Sequence, residues 1–422
     1  MKRSVINKKC ILLSVACCTL LLANQLSAGE QNRGKFGDIK SWQSDEYKAD
    51  WGLVSMNAAV AYALGATGKG VTLGVMDSGV LLSHPEFSDG RVSALKVSGI
   101  YYKDGQRYPD TAYGNSPLLK KGSGDKNKKD FGDFKKGEEF SIDGDWIAGV
   151  NDSHGTHVAG TIAASRDGVG MHGVAFDSRL IMGNTGGTDG MTYGPNQDYN
   201  FFLKSYEGLA KSGARAINNS WGSNRKFYKA YEGATGYDGG NNLDIKDLDA
   251  AYKSYYPFVV NGKNFLDAAY EVATRYGVIQ IFTAGNRDGM KESYTRAMLP
   301  YFRPDAEKYW LNVSGQLEGD TQRYNTPGHS KWWSIAAPAK PIYSTVVDLK
   351  TGKADYGTKG GTSMAAPHVT GALGVIMQRY PYMNNAQIRE VLLTTARQVH
   401  DDFKEPADTR KISGFTACAW SA

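Results

Sequence analysis

Cysteine is nearly absent from the body of this chain. Four occur in 422 residues, and Cys10, Cys17 and Cys18 all fall within the first 28, leaving Cys418 alone beyond them. A disulfide framework is thereby excluded, even for the oxidising destination argued below. Long apolar runs are equally scarce: past residue 28, none reaches the roughly 18 residues that a membrane-spanning helix needs. A strong excess of one charge is missing too. The formal net charge is +6, but Lys2, Arg3, Lys8 and Lys9 supply four of those charges, and without them it is +2. That leaves no electrostatic footprint for nucleic acid.

What remains is globular. Apolar residues at 41% and charged residues at 22% are ordinary for a folded domain, and the length can bury a large core. Fifty glycines point to many turns and close backbone approaches, as in α/β enzymes. The four early cations precede "CILLSVACCTLLLA", and "LSA" at 26–28 offers a small-residue cleavage site before Gly29. Residues 1–28 therefore read as an export leader, which predicts an extracellular, cell-surface or periplasmic protein. A lipid anchor on Cys17 is the lesser alternative, because Ser14 stands where a larger aliphatic is usual.

Three apolar runs end abruptly in small or polar residues: "VTLGVM" before Asp77, "ARAIN" before "NSWG" at 219–222, and "VIQIF" before "TAGN" at 283–286. Such runs read as buried parallel strands, at whose carboxyl ends function collects. Helical patterns alternate with them. Residues 154–165 carry Val158 and Ile162 on one face with Ser153 as a predicted N-cap, and residues 264–276 are stopped by Gly277. The alternation predicts an α/β fold, a doubly wound and mostly parallel sheet with helices on both faces. Two polar insertions, about 101–145 and 223–263, read as surface loops.

Two stretches invite chemistry. "NDSHGTHVAGT" at 151–161 holds His154 and His157 three residues apart, either half of a zinc site or one proton carrier beside a packed neighbour. The zinc option lacks the intervening Glu of HExxH, and no motif supplies a third ligand. In "GGTSMAAPHVTGALGVIMQRY" at 360–380, the missing N–H of Pro367 would have bonded the carbonyl of residue 363. Proline there is expected in the first turn, which places Ser363 at a helix N-terminus, as an ordinary cap or as a nucleophile. His84, His172, His329, His368 and His400 read as structural or surface residues, with His368 packed inside the Ser363 helix.

"GVMDSGV" at 74–80, "SHGTHVAGT" at 153–161 and "GTSMAAPHV" at 361–369 resemble the three signature segments of the subtilisin-like serine proteases, the subtilases. The resemblance runs from about Trp51 to Val399. It implies that Asp77 orients, His154 acts as general base and Ser363 attacks, in the chain order known for subtilisin. It further implies that Asn286 donates to the oxyanion, and that Ser220, Trp221 and Gly222 with Thr283, Ala284 and Gly285 wall the substrate pocket. No cofactor is implied for the chemistry. Glu86 and Asp167 fall where many members place calcium ligands, against which stand neighbouring Arg166 and the alternative of two solvated loop carboxylates.

The expected organisation is a leader at 1–28, a short segment at 29–50, a peptidase domain at 51–400 and a tail at 401–422. The segment 29–50 is too short for the folding-assisting propeptide usual in secreted members. With "HPEFSDGRV" at 84–92 and the long loops, this resembles the passenger domains of Gram-negative autotransporter subtilases. The ending "KISGFTACAWSA" departs from the family's usual Gly-rich turn and reads as a truncated or altered C-terminus. The expected function is secreted serine endopeptidase, a monomer acting on proteins or peptides. The alternative is a catalytically impaired binding module on the same fold.

Overall fold

The computed structural model describes residues 34–106, 133–186, 198–221, 263–288, 292–294, 296–319 and 321–397. The leader, the middle of the first insertion, all of the second but Lys263, Gly222, Cys418 and the tail lie outside them.

The three apolar runs form central strands, Thr72–Asp77, Ala216–Asn219 and Ile279–Thr283, each almost wholly buried. They lie side by side and parallel. Val75 pairs with Asn218, and Asn219 with Phe282. Trp310–Leu317 and Ser334–Lys340 extend the parallel sheet beyond Ile279–Thr283, where a short antiparallel strand at 321–323 also attaches. On the other side Arg179–Asn184 and then Val92–Ala94 complete it. The order in which strands are added reverses at Thr72–Asp77, which opens a crevice at the carboxyl ends of that strand and its neighbours.

Alternating side chains feed two cores, because successive residues of a strand face opposite sides. Leu73, Val75, Ile279 and Ile281 meet the His154–Ala163 and Thr362–Arg379 helices on one face. Met76, Ile217, Phe282 and Trp310 meet Tyr199–Lys211 and Phe265–Tyr276 on the other. Asn264 and Asp267 form a capping box on the last of these helices, and Gly277, at φ +65°, ends it.

Three details differ from the sequence reading. The Ser363 helix starts at Thr362, with Gly361 as its N-cap, so Pro367 is its sixth residue and lies past the first turn. The flanking packing tolerates the break, and the Ser363 carbonyl is left without its intrahelical N–H. Ser153 makes no capping hydrogen bond; the carboxylate of Asp152 accepts the His154 N–H instead. The ends of the first insertion are not simple loops, for Glu139–Asp143 pairs antiparallel with Lys96–Ile100. That hairpin buries Tyr101, Phe140 and Ile142, which a charge-rich composition concealed. Among the described residues no helix is long and apolar enough to cross a membrane.

Candidate active site

Asp77 is the last residue of its strand and only 2% exposed. A buried carboxylate needs donors, and its Oδ1 accepts the Ser78 N–H at 2.8 Å and lies 2.8 Å from Nδ1 of His154. Facing a carboxylate, Nδ1 is the nitrogen that carries hydrogen, which leaves Nε2 as the basic one. Burial pulls the imidazole pKa down, but the charge of Asp77, its hydrogen bond and the charge of Asp152 outweigh this and hold it up at about 9.

His154 opens its helix, and the two backbones meet closely there. A Cβ on Gly155 would fall 2.2 Å from the Gly79 carbonyl oxygen. The Ser78 hydroxyl accepts the Gly155 N–H at 2.9 Å and donates to Asp152 at 3.1 Å. The Asp-Ser-Gly and His-Gly pairs thus join the strand end to the helix start. His157, one turn on, is fully buried and points elsewhere: its Nε2–H donates to the Ile342 carbonyl at 3.0 Å. Burial takes its pKa down to about 3, so it is neutral. The two histidines do not share a ligand, and among the described residues no three His, Cys, Asp or Glu side chains are arranged to hold a metal.

Ser363, half-buried, is the second residue of its helix. Its hydroxyl donates to the Ser220 carbonyl at 2.6 Å rather than to His154. Asn286 follows the Ile279–Thr283 strand and is exposed. Its Oδ1 accepts both the N–H and the hydroxyl of Thr362, each at 2.8 Å. Two donors on the oxygen fix which way the amide faces. Nδ2 has no hydrogen-bond partner among the described residues, and lies 3.0 Å from where a Cβ on Gly361 would stand. Gly361 is required for that clearance and for its φ of +141°.

Thr362, Tyr294 and Asp152 were not singled out by sequence. Thr362 was legible in retrospect, being the residue between Gly361 and Ser363. Tyr294, whose hydroxyl accepts the Asn286 N–H at 3.3 Å, carries no local signal.

The pocket residues divide. Ser220 is buried beside Ser363, whereas the Trp221 indole turns inward, its ring centroid 5.0 Å from Phe265 and 5.6 Å from Phe202. Thr283 accepts from Arg296 at 3.0 Å, and the N–H of Ala284 is taken by the Val313 carbonyl at 2.9 Å. That N–H is therefore not available to pair with an extended peptide. Gly285, at φ +124°, passes over the Tyr294 ring where a Cβ would meet it at 2.6 Å.

Glu86 is fully buried, not a solvated loop carboxylate. Burial raises its pKa to about 8, even though the Tyr356 hydroxyl donates to Oε1 at 2.5 Å; the negative charges of Asp167 and Glu46 add to the rise. Asp167 is exposed, and its N–H donates to Glu46 at 2.9 Å. Oε2 of both Glu46 and Glu86 is buried with no partner.

Residues 68–413 match the Subtilase family. An extracellular serine protease of Serratia marcescens is 33% identical over 430 residues, covering 93% of this chain and 36% of its own length. A subtilisin of Bacillus pumilus is 24% identical, covering 84% of this chain and 93% of its own. The autotransporter lipoprotein NalP of Neisseria meningitidis is 26% identical, over 84% of this chain and 33% of its own. The chain thus spans about a third of the Serratia and Neisseria relatives. With the match extending over most of its length, the chain belongs to the subtilase family.

Proposed function

We propose that the chain is an exported serine endopeptidase working through Asp77, His154, Ser363 and Asn286. The observation that carries this reading is the 2.8 Å contact of Asp77 with His154 Nδ1, which leaves Nε2 as the basic nitrogen. In the proposed cycle Nε2 takes the Ser363 proton as Oγ bonds to the substrate carbonyl carbon. The Asn286 amide and the Ser363 N–H stabilise the oxyanion, and the imidazolium returns its proton to the departing amine. Water then repeats the sequence on the acyl-enzyme and frees Ser363. Export is supported by the leader and by relatives named as extracellular or as an autotransporter.

A second reading, a binding module without turnover, is favoured by one contact: the Ser363 hydroxyl rests on Ser220 instead of His154. Casein hydrolysis by the purified chain separates the two. A cleared band that vanishes in Ser363→Ala is expected; no clearing, or clearing that survives the substitution, contradicts the peptidase.

We further propose that calcium binds at Glu86 and Asp167. The Glu86 Oε2, buried without a hydrogen-bond donor, suits a hard cation. Calcium is expected to raise the melting temperature by several degrees over the same protein in EDTA. An unchanged melting temperature contradicts the site.

A further inference from the structure

The Ser363 helix carries a histidine whose partner comes from far along the chain. His368 is fully buried, its Nδ1 2.8 Å from the Met364 carbonyl oxygen and its Nε2 2.9 Å from Oδ2 of Asp50. A carbonyl only accepts, so Nδ1 carries a hydrogen, and the Asp50 contact needs a second hydrogen between Nε2 and Oδ2. Asp50 is itself 1% exposed. Its other oxygen accepts the Gly52 N–H at 2.9 Å and so caps the short helix Trp51–Ser55. A Cβ on Gly52 would come within 2.2 Å of His368 Nε2, so this glycine is what lets the helix close on the histidine. Next to it, Trp51 Nε1–H donates to the Pro341 carbonyl at 2.6 Å, where the hairpin leading to Lys359 begins. Residues 50–55 precede the family-matched 68–413.

The other end of the line reaches the reactive residue. Pro367 withdraws the N–H that would have bonded the Ser363 carbonyl, so the first turn is one bond short where it matters. His368 adds a bond one residue on, to Met364, whose own N–H bonds the Gly361 carbonyl at 2.9 Å. Asp50, His368 and Met364 form a buried hydrogen-bonded line ending beside Ser363. We propose that the Asp50–His368 pair positions Ser363 for attack, which makes the segment ahead of the matched residues part of the catalytic machinery. The inference rests on the peptidase reading above. Neither residue touches reacting atoms; both are positioning residues.

The test uses the full chain with Asp50→Asn, His368→Asn and both together, with turnover expressed per active site titrated by a burst substrate. Asp50→Asn retains an oxygen for the Gly52 N–H. A misplaced nucleophile is expected to lower kcat per site about tenfold or more with KM within about twofold, the double variant being no worse than the poorer single. A pair that only stabilises would lower the melting temperature and the titratable fraction while leaving kcat per site unchanged, and that result overturns the proposal, as do multiplicative effects. Should His368→Asn not fold, Asp50→Asn decides alone, through the rate at which a sulfonyl fluoride labels Ser363. An unaltered chain that takes no label removes the peptidase reading and this inference with it; an active chain whose Asp50→Asn variant turns over normally removes only the inference.

Discussion

His154→Ala is expected to lower kcat/KM by about 10⁵-fold or more, a size taken from triad deletions in the relative subtilisin rather than from this geometry. The ring is hydrogen-bonded to Asp77, so its loss removes the proposed proton acceptor and leaves the buried Asp77 carboxylate without that partner. His157→Ala should act on stability instead. That imidazole is buried and holds the Ile342 carbonyl, so truncation leaves a cavity and an unsatisfied acceptor, costing about 2 kcal/mol or more of stability. Activity per folded molecule should stay within a few fold. The same histidine sets the pH dependence. On the proposed mechanism His154 works only when neutral, and Asp77 holds its pKa up at about 9. In the free enzyme kcat/KM should therefore climb about tenfold per pH unit from neutrality and level off in the alkaline range. A profile flat from pH ~6 upward would contradict this electrostatic account.

Asn286→Ala should cut kcat by about 10²- to 10³-fold with KM little changed, again a size known from an amide donor in subtilisin itself. The geometry supplies the reason for the split. Thr362 grips Oδ1 through two hydrogen bonds, and on the proposed mechanism Nδ2 serves charge that appears only in the transition state. Asn286→Asp sharpens the test, since a carboxylate keeps both Thr362 bonds and the fold. It puts negative charge where the oxyanion develops and should be worse than alanine. Steady-state kinetics on both variants decide it; a raised KM with kcat intact would place Asn286 in ground-state binding instead.

The central strands were legible because burial on both faces writes an unbroken apolar run, and their ends because small residues follow at once. Asp77, His154 and Ser363 stood out through motifs whose glycines, Gly155 and Gly361, prove to be clearance requirements. What sequence did not disclose is carried by long-range contacts. Thr362 and Asn286 are 76 residues apart, and Asp50 and His368 are 318 apart. Glu46, in the segment ahead of the matched residues, meets Asp167 only in three dimensions. The direction of the Trp221 ring was hidden for a related reason, since Phe202 and Phe265 pack against it from distant positions. His368, read as mere packing, is packed and also paired, which a helical periodicity cannot distinguish.

The most direct test of the account is covalent labelling by a sulfonyl fluoride, followed by mapping of the modified peptide. One label per chain on Ser363, formed at a rate that collapses in His154→Ala and accompanied by full loss of casein hydrolysis, is the predicted result. Labelling at another residue, or full hydrolysis by a chain whose Ser363 is blocked, would contradict it.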